Sequence, residues 1–151
     1  MSQELHQEFI YTAISLIAQN LQNTGDQLFN EVSTKQFRLM RELSQFDYPL
    51  SLIELANWLG TSRQNIKSQL TPLKAKNFVM FERSNSDKRS LQITLTSKGK
   101  RFVSQNLSSY STYIHALFKD FSEAEVSQMS QLLQKLSNSI DTLDDFRDSQ
   151  A

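Results

Sequence analysis

Along a chain otherwise patterned for helices, Asp87-Lys88-Arg89-Ser90-Leu91-Gln92-Ile93-Thr94-Leu95-Thr96-Ser97-Lys98-Gly99 switches to a different period. Leu91, Ile93 and Leu95 alternate with Gln92 and Thr94, as in a half-buried strand. Upstream, Phe78-Val79-Met80-Phe81 is a second short β-rich run. The polar segment Glu82 to Ser90 lies between them and carries Arg83, Ser86, Asp87, Lys88 and Arg89. The pattern predicts a hairpin with a long charged tip, followed by a helix capped by Thr96 or Ser97.

Immediately before the hairpin come two short helices. Ser51 caps the first, which turns Leu52, Leu55, Ala56 and Leu59 inward and closes at Gly60. Ser62 caps the second, with Ile66, Leu70 and Leu73 spaced four and three apart. Small Ala56 at the crossing and Gly60 in the turn suit a helix-turn-helix. The second helix opens with Ser62, Arg63, Gln64, Asn65, Lys67 and Ser68, side chains of the kinds that read base edges and hold phosphates. Pro72 has no N–H for the Ser68 carbonyl, so a bend or an end to regular helix bonding is expected there. Lys74 and Lys76, flexible point charges, are expected to contact phosphates.

Charge follows the same segment. The 16 Lys+Arg and 16 Asp+Glu cancel overall, but ten of the bases against two acids, Glu82 and Asp87, fall between Thr61 and Phe102. Segregation of this kind is the electrostatic footprint of a surface for a polyanion.

Further out the chain reads as long helices. Leu5, Phe9, Ala13, Leu16, Ile17 and Leu21 recur at helical spacing before Asn23-Thr24-Gly25. Another helix follows Thr34, a candidate N-cap, uses Phe37, Met40, Arg41 and Leu43, and ends by Asp47-Tyr48-Pro49. After the hairpin, Val103, Leu107, Tyr110, Ile114, Leu117 and Phe121 predict one helix. The capping box Ser122-x-x-Glu125 opens another with Val126, Met129, Leu133, Leu136, Ile140 and Leu143, before a loose end from Ser149. A central unit from Thr34 to Leu95 is too small to cover these seams, whereas a second copy of the chain can. Leu5, Phe9, Leu117, Phe121, Met129, Leu133, Leu136, Ile140 and Leu143 are therefore the candidate dimerisation residues.

Asp87, Arg89, Leu95, Thr96 and Gly99 fit D-x-R-x-x-x-x-x-L-T-x-x-G, and Leu55-Ala56-x-x-Leu59-Gly60-x-Ser62-Arg63 fits the preceding helix-turn-helix. In both, and in the order of elements, the chain resembles the MarR family of winged helix-turn-helix transcription regulators. Asn77, which stands where that family commonly has glycine, tolerates the left-handed conformation that ends a helix. The resemblance implies a mainly α fold with a small β-hairpin wing, in which residues 34–99 form the winged helix-turn-helix. Residues 1–33 and 100–151 would form a helical dimerisation region within one continuous domain. It also implies a homodimer on a pseudo-palindromic operator, with Arg89 entering the minor groove and Asp87 holding its guanidinium. A small aromatic or lipophilic effector is implied between the dimerisation helices and the winged region, with Tyr11, Ile14, Phe37, Met40, Arg41 and Tyr48 the candidates to line its site.

Other functions find little footing. With no cysteine there is no disulfide, thiolate metal site or cysteine nucleophile. His6 and His115 are not grouped with a serine or carboxylate, so neither catalysis nor a metal or cofactor is expected. The cluster Asp141, Asp144, Asp145 and Asp148 reads as an acidic helix end without the glycine-bearing loop of a calcium site. No stretch reaches the ~20 apolar residues of a membrane span and the N-terminus does not read as a signal peptide, so a soluble, cytoplasmic protein is expected. The reading is thus a DNA-binding transcriptional regulator, a homodimeric repressor. The alternative is a dimeric winged-helix module that docks a protein and does not bind DNA.

Overall fold

The computed structural model describes residues 2–87 and 89–150, without the side chains of 144–150. The chain divides into two compact units, Met1–Tyr110 and Ser111–Ala151. Its elements are α1 (Gln3–Gly25), α2 (Thr34–Leu43), β1 (Leu50–Ser51), α3 (Leu52–Leu59), α4 (Arg63–Ala75), β2 (Val79–Arg83), β3 (Leu91–Leu95), α5 (Ser97–Leu117) and α6 (Glu123–Gln150). This is the mainly helical, winged architecture that the sequence predicts, with a third strand added. Leu50–Ser51 pairs antiparallel with β3, Leu50 opposite Ile93, so the sheet order is β1-β3-β2. Two residues are too few to show an alternation, which is why β1 has no sequence signature.

Several boundaries differ from expectation for identifiable reasons. Ser33, not Thr34, caps α2: its hydroxyl accepts from the Gln36 N–H at 3.1 Å and the Gln36 side chain accepts from the Ser33 N–H at 3.0 Å. The same helix ends at Leu43, ahead of Asp47-Tyr48-Pro49. Helix α5 stops at Leu117, leaving Phe121 in the following turn, where its ring meets Phe118 edge-on at 5.9 Å. Helix α6 continues through Ser149 and Gln150, and Ala151 lies outside the described residues. At its start, the Ser122 backbone N–H (2.8 Å) and hydroxyl (2.9 Å) bond Glu125 and hold its carboxyl below the usual carboxylate range.

The core of the first unit is built around Phe37, Leu55, Ile66, Leu70, Leu73, Phe78 and Ile93, all essentially inaccessible to solvent. It reaches beyond the 34–99 segment. Phe29 stacks on Phe37 at 4.3 Å between centroids, Phe102 lies 4.8 Å from Phe78, and Tyr110 lies 5.2 Å from Phe37. Aromatic pairs in these tilted and offset arrangements each contribute roughly 0.5–1.5 kcal/mol beyond burial. Trp58 ties α3 to α2 by donating its indole N–H to Glu42 at 3.0 Å, and its ring meets Phe46 edge-on at 5.4 Å.

Helices α3 and α4 end in the same way. Gly60 (φ 64°) and Asn77 (φ 61°) take the left-handed conformation, and Thr61 and Phe78 then donate back to the carbonyls of Ala56 (3.0 Å) and Leu73 (2.9 Å). Pro72 neither ends α4 nor prevents another turn, since the helix continues to Ala75. The second reversal delivers Phe78 to a corner. Its carbonyl accepts from the Thr96 N–H (3.0 Å) and hydroxyl (3.2 Å), and that hydroxyl also bonds the Asn77 carbonyl (2.5 Å) and caps α5 through the Gly99 N–H (3.0 Å). A Cβ on Gly99 would lie 2.1 Å from the Phe78 carbonyl oxygen, which is backbone and cannot swing aside. Gly99→Ala should therefore destabilise the fold by about 1–3 kcal/mol, the cost of overpacking. A lowered urea midpoint would register this, and an unchanged midpoint would mean that the corner has room.

Candidate nucleic-acid interface

Burial of Ile66, Leu70 and Leu73 fixes the rotation of α4. At 100° per residue, Gln64, Ser68 and Thr71 then point away from the core, with Arg63 and Lys67 on one flank and Asn65 and Gln69 on the other. The surface clefts follow this division. Arg63, Gln64 and Lys67 line a cleft of about 300 Å³ with Leu52. Arg63 also lines one of about 210 Å³ with Ser51 and Ile53 of the α3 start and Arg89 and Leu91 of the hairpin. Asn65 and Gln69 line a third, of about 160 Å³, on the side of α2. The predicted reading residues are thus all exposed on one helix start, but they are not equivalent.

Their hydrogen bonds separate them further. Asn65 donates its amide to the Thr61 hydroxyl (2.7 Å) and accepts from the Gln69 amide (3.4 Å). The Ser62 hydroxyl accepts from the Asn65 N–H (3.1 Å), and Ser68 donates its own to the Asn65 carbonyl (2.7 Å). Among the described residues, the side chains of Arg63, Gln64 and Lys67 make no hydrogen bond or ion pair, so they are the ones free to engage a ligand without breaking an existing contact. Thr71 was not singled out by the sequence; it faces outward and bonds the Lys67 carbonyl at 2.9 Å.

The hairpin tip is organised by its own polar atoms. Ser84 donates its N–H to the Ser90 carbonyl at 3.0 Å, and Ser90 donates to the Asp87 carbonyl at 3.0 Å. The buried Ser84 hydroxyl lies 2.9 Å from that of Ser86. Asp87 accepts from the Arg89 backbone N–H at 2.9 Å. This corrects one expectation: among the described residues Asp87 makes no ion pair with the Arg89 guanidinium, and it orders the arginine through the main chain. Arg83, Ser86 and Arg89 are exposed on this tip, and Lys88 lies outside the described residues. The basic residues behind it are partly used for structure. The Lys74 ammonium sits 4.9 Å over the Phe81 ring, Lys76 donates to the Glu31 carbonyl, and Lys98 sits 4.6 Å over the Phe78 ring. Composition could not reveal this, because each contact depends on the corner at Phe78.

Residues 32–91 match the MarR family model, and this segment spans α2 through the first residue of β3. Over this segment the chain is similar to the MarR family. It is 28% identical over 101 residues to the transcriptional repressor MprA of Escherichia coli (strain K12), a match that covers 67% of this chain. The chain spans 57% of the length of that relative. Its fold is shared with the S. aureus MepR–DNA complex, with a TM-score of 0.78 and 21% identity over 85% of this chain and 96% of that one. It is also shared with Bordetella bronchiseptica BpsR, described for regulation of its DNA binding by 6-hydroxynicotinic acid, with a TM-score of 0.76 and 18% identity over 85% and 92% of the two chains.

The remaining residues that the family resemblance pointed to are dispersed. Of the six candidates for an effector site, Phe37 and Met40 are buried in the core, Arg41 lies 5.7 Å from the Tyr110 ring, and Tyr48 meets Phe46 edge-on at 5.6 Å. Tyr11 and Ile14 are exposed on α1. The candidate dimerisation residues Leu5 and Phe9 of α1, Leu117 of α5, Phe121, and Met129, Leu133, Leu136, Ile140 and Leu143 of α6 are all exposed. The role found for Asp87 has a direct test. Asp87→Ala should speed amide hydrogen exchange at Arg89 roughly 5-fold, equivalent to a lost hydrogen bond of about 1 kcal/mol, while Asp87→Asn, which keeps an acceptor, should not. Equal rates in all three proteins would mean that the carboxylate does not order the tip.

Proposed function

We propose that this chain is a sequence-specific double-stranded DNA-binding transcriptional regulator, acting in the cytoplasm as a homodimeric repressor released by a small aromatic or lipophilic effector. The observation that carries the reading is the cleft shared by Arg63 of α4 and Arg89 of the wing, beside the unengaged side chains of Gln64 and Lys67. A helix start beside an arginine-tipped hairpin is an arrangement suited to placing the helix in a major groove and the arginine at an adjacent minor groove. Gln64 has the paired donor and acceptor that suit adenine, and Arg63 has the fork that suits guanine. Arg89, a planar cation on a turn held by Asp87, is drawn to the negative potential of a narrow minor groove. Lys67, Lys74, Lys76 and Lys88 are assigned to phosphates, and Ser62, Ser68, Arg83 and Ser86 to further contacts around them. The protein acts by binding, with no catalytic step.

The relatives support repression, DNA binding and an effector: MprA is a repressor, MepR was solved with DNA, and the DNA binding of BpsR is regulated by a small aromatic acid. Dimerisation is supported by the exposed apolar residues of α1 and of α6, which a second copy would cover. Two recognition helices related by a twofold axis would sit about one DNA turn apart, roughly 34 Å, on an inverted repeat. Among the described residues no helix is long and apolar enough to cross a membrane, consistent with a partner in solution.

Selection from random duplex DNA tests the reading. The purified protein should enrich an inverted repeat, Gln64→Ala should change the preferred bases, and Arg89→Ala should weaken binding by roughly 1–3 kcal/mol per half-site. No enrichment, with binding to DNA absent at low salt, would overturn the proposal in favour of a protein-docking winged helix. Assembly is tested separately. The protein should sediment as a dimer, and Leu133→Asp with Leu136→Asp should yield monomers that have lost tight operator binding. Monomers of the unaltered protein bound tightly to an inverted repeat would overturn the dimer.

A further inference from the structure

Two cations of α2 have no polar partner among the described residues. Lys35 and Arg38 are exposed, and among the described residues neither side chain makes a hydrogen bond or ion pair. They stand one turn apart on α2 and line the same cleft, with Thr61, Asn65 and Gln69 forming its α4 side. Lys74, Lys76 and Lys98, by contrast, are already engaged with rings or carbonyls. Neither α2 residue falls in the basic run between Thr61 and Phe102.

We infer that Lys35 and Arg38 form a phosphate clamp for the DNA strand on the α2 side of the inserted helix. The inference rests on the proposed DNA-binding function. A helix lying in a major groove points its outer face at the bases and its two flanks at the two phosphate walls. For α4 the outer face is Gln64, Ser68 and Thr71. One flank continues into the wing cleft, where Arg63 at the helix start keeps its reach to a base edge and Lys67 supplies the charge for the phosphate wall. The opposite flank is Asn65 and Gln69, two neutral amides already tied into a hydrogen-bonded row with Thr61. That flank has no charge to meet a phosphate wall, and the only cations lining its cleft are Lys35 and Arg38. The Arg38 guanidinium can hold two phosphate oxygens as a fork, and Lys35 can follow the backbone as a point charge. The row of amides beneath them adds uncharged donors without sequence readout. Together the two flanks would hold α4 upright in the groove, with neither strand favoured.

The test uses the full-length protein and the duplex that it enriches from the random pool. Both residues are exposed, so Lys35→Gln with Arg38→Gln should fold normally. The double variant should bind the same sequence more weakly, and the log–log dependence of affinity on salt should flatten by about one unit per charge removed per bound subunit. Lys119→Gln with Lys135→Gln, which removes the same net charge elsewhere, should leave the slope unchanged. An unchanged slope in the α2 variant, or equal flattening in the Lys119/Lys135 control, would overturn the clamp while leaving DNA binding by the unaltered protein intact. A shift in the preferred sequence would also overturn it, since phosphate contacts carry no base information. Failure of the unaltered protein to bind any duplex would instead remove the functional reading on which the clamp rests.

Discussion

A single backbone carbonyl, that of Phe78, holds the winged region together. It accepts from the N–H and the hydroxyl of Thr96, while the hydroxyl of Thr96 also clips the Asn77 carbonyl and caps α5. Three elements therefore meet at one point: the end of α4, the base of the hairpin and the start of α5. The Phe78 ring adds the apolar side of the junction against Phe102. Moving this corner would change the angle between α4 and the wing, and with it the cleft that Arg63 and Arg89 share. The Leu95-Thr96-x-x-Gly99 part of the sequence pattern is thus structural in origin. Leu95 is buried, Thr96 supplies the clip and the cap, and Gly99 leaves room for a carbonyl.

The distinction between local and non-local bonds decides which parts of the molecule are legible in its sequence. Ser51, Ser62 and Ser122 announce their helices because a cap is a local bond within three residues. The alternation of Leu91, Ile93 and Leu95 announces β3 because Ile93 and Leu95 are buried at the base of the hairpin, whereas Leu91, toward the tip, is exposed. What could not be read was non-local. The strand Leu50–Ser51 exists only because Ile93 and Gln92 lie beside it. Phe29 and Val32 follow α1 in a segment without periodicity, yet they are buried in the core. Ser33 is the exception: its capping box with Gln36 is as local as the other caps, and the sequence pointed instead to the adjacent Thr34.

The interface was legible as a set of residues but not as a division of labour. Sequence places Arg63, Gln64, Asn65, Lys67 and Ser68 together, and all are exposed at the start of α4. The fold separates the unengaged Arg63, Gln64 and Lys67 from Asn65, which bonds Thr61 in the preceding turn, and Ser68, which bonds the Asn65 carbonyl. Likewise, counting charge overstates the free positive surface, because lysines that stack on Phe78 and Phe81 contribute field but have part of their reach committed. Asp87 is the clearest case. A carboxylate two residues from an arginine suggests an ion pair, whereas tip geometry brings the backbone N–H within reach instead.

The chain has one tryptophan, and the Trp58 indole is fixed between Glu42 of α2 and the ring of Phe46. An indole so held beside a carboxylate, with more than half of its surface in water, is a native optical reporter for the packing of α3 on α2. Emission from unlabelled protein would follow the helix that precedes the recognition helix, free of signal from the terminal helices. A ligand or partner that levers α2 away from α3 would change the indole's surroundings at that one position. Movement confined to the wing would leave it dark to the measurement, so the two kinds of rearrangement can be told apart without introducing a dye.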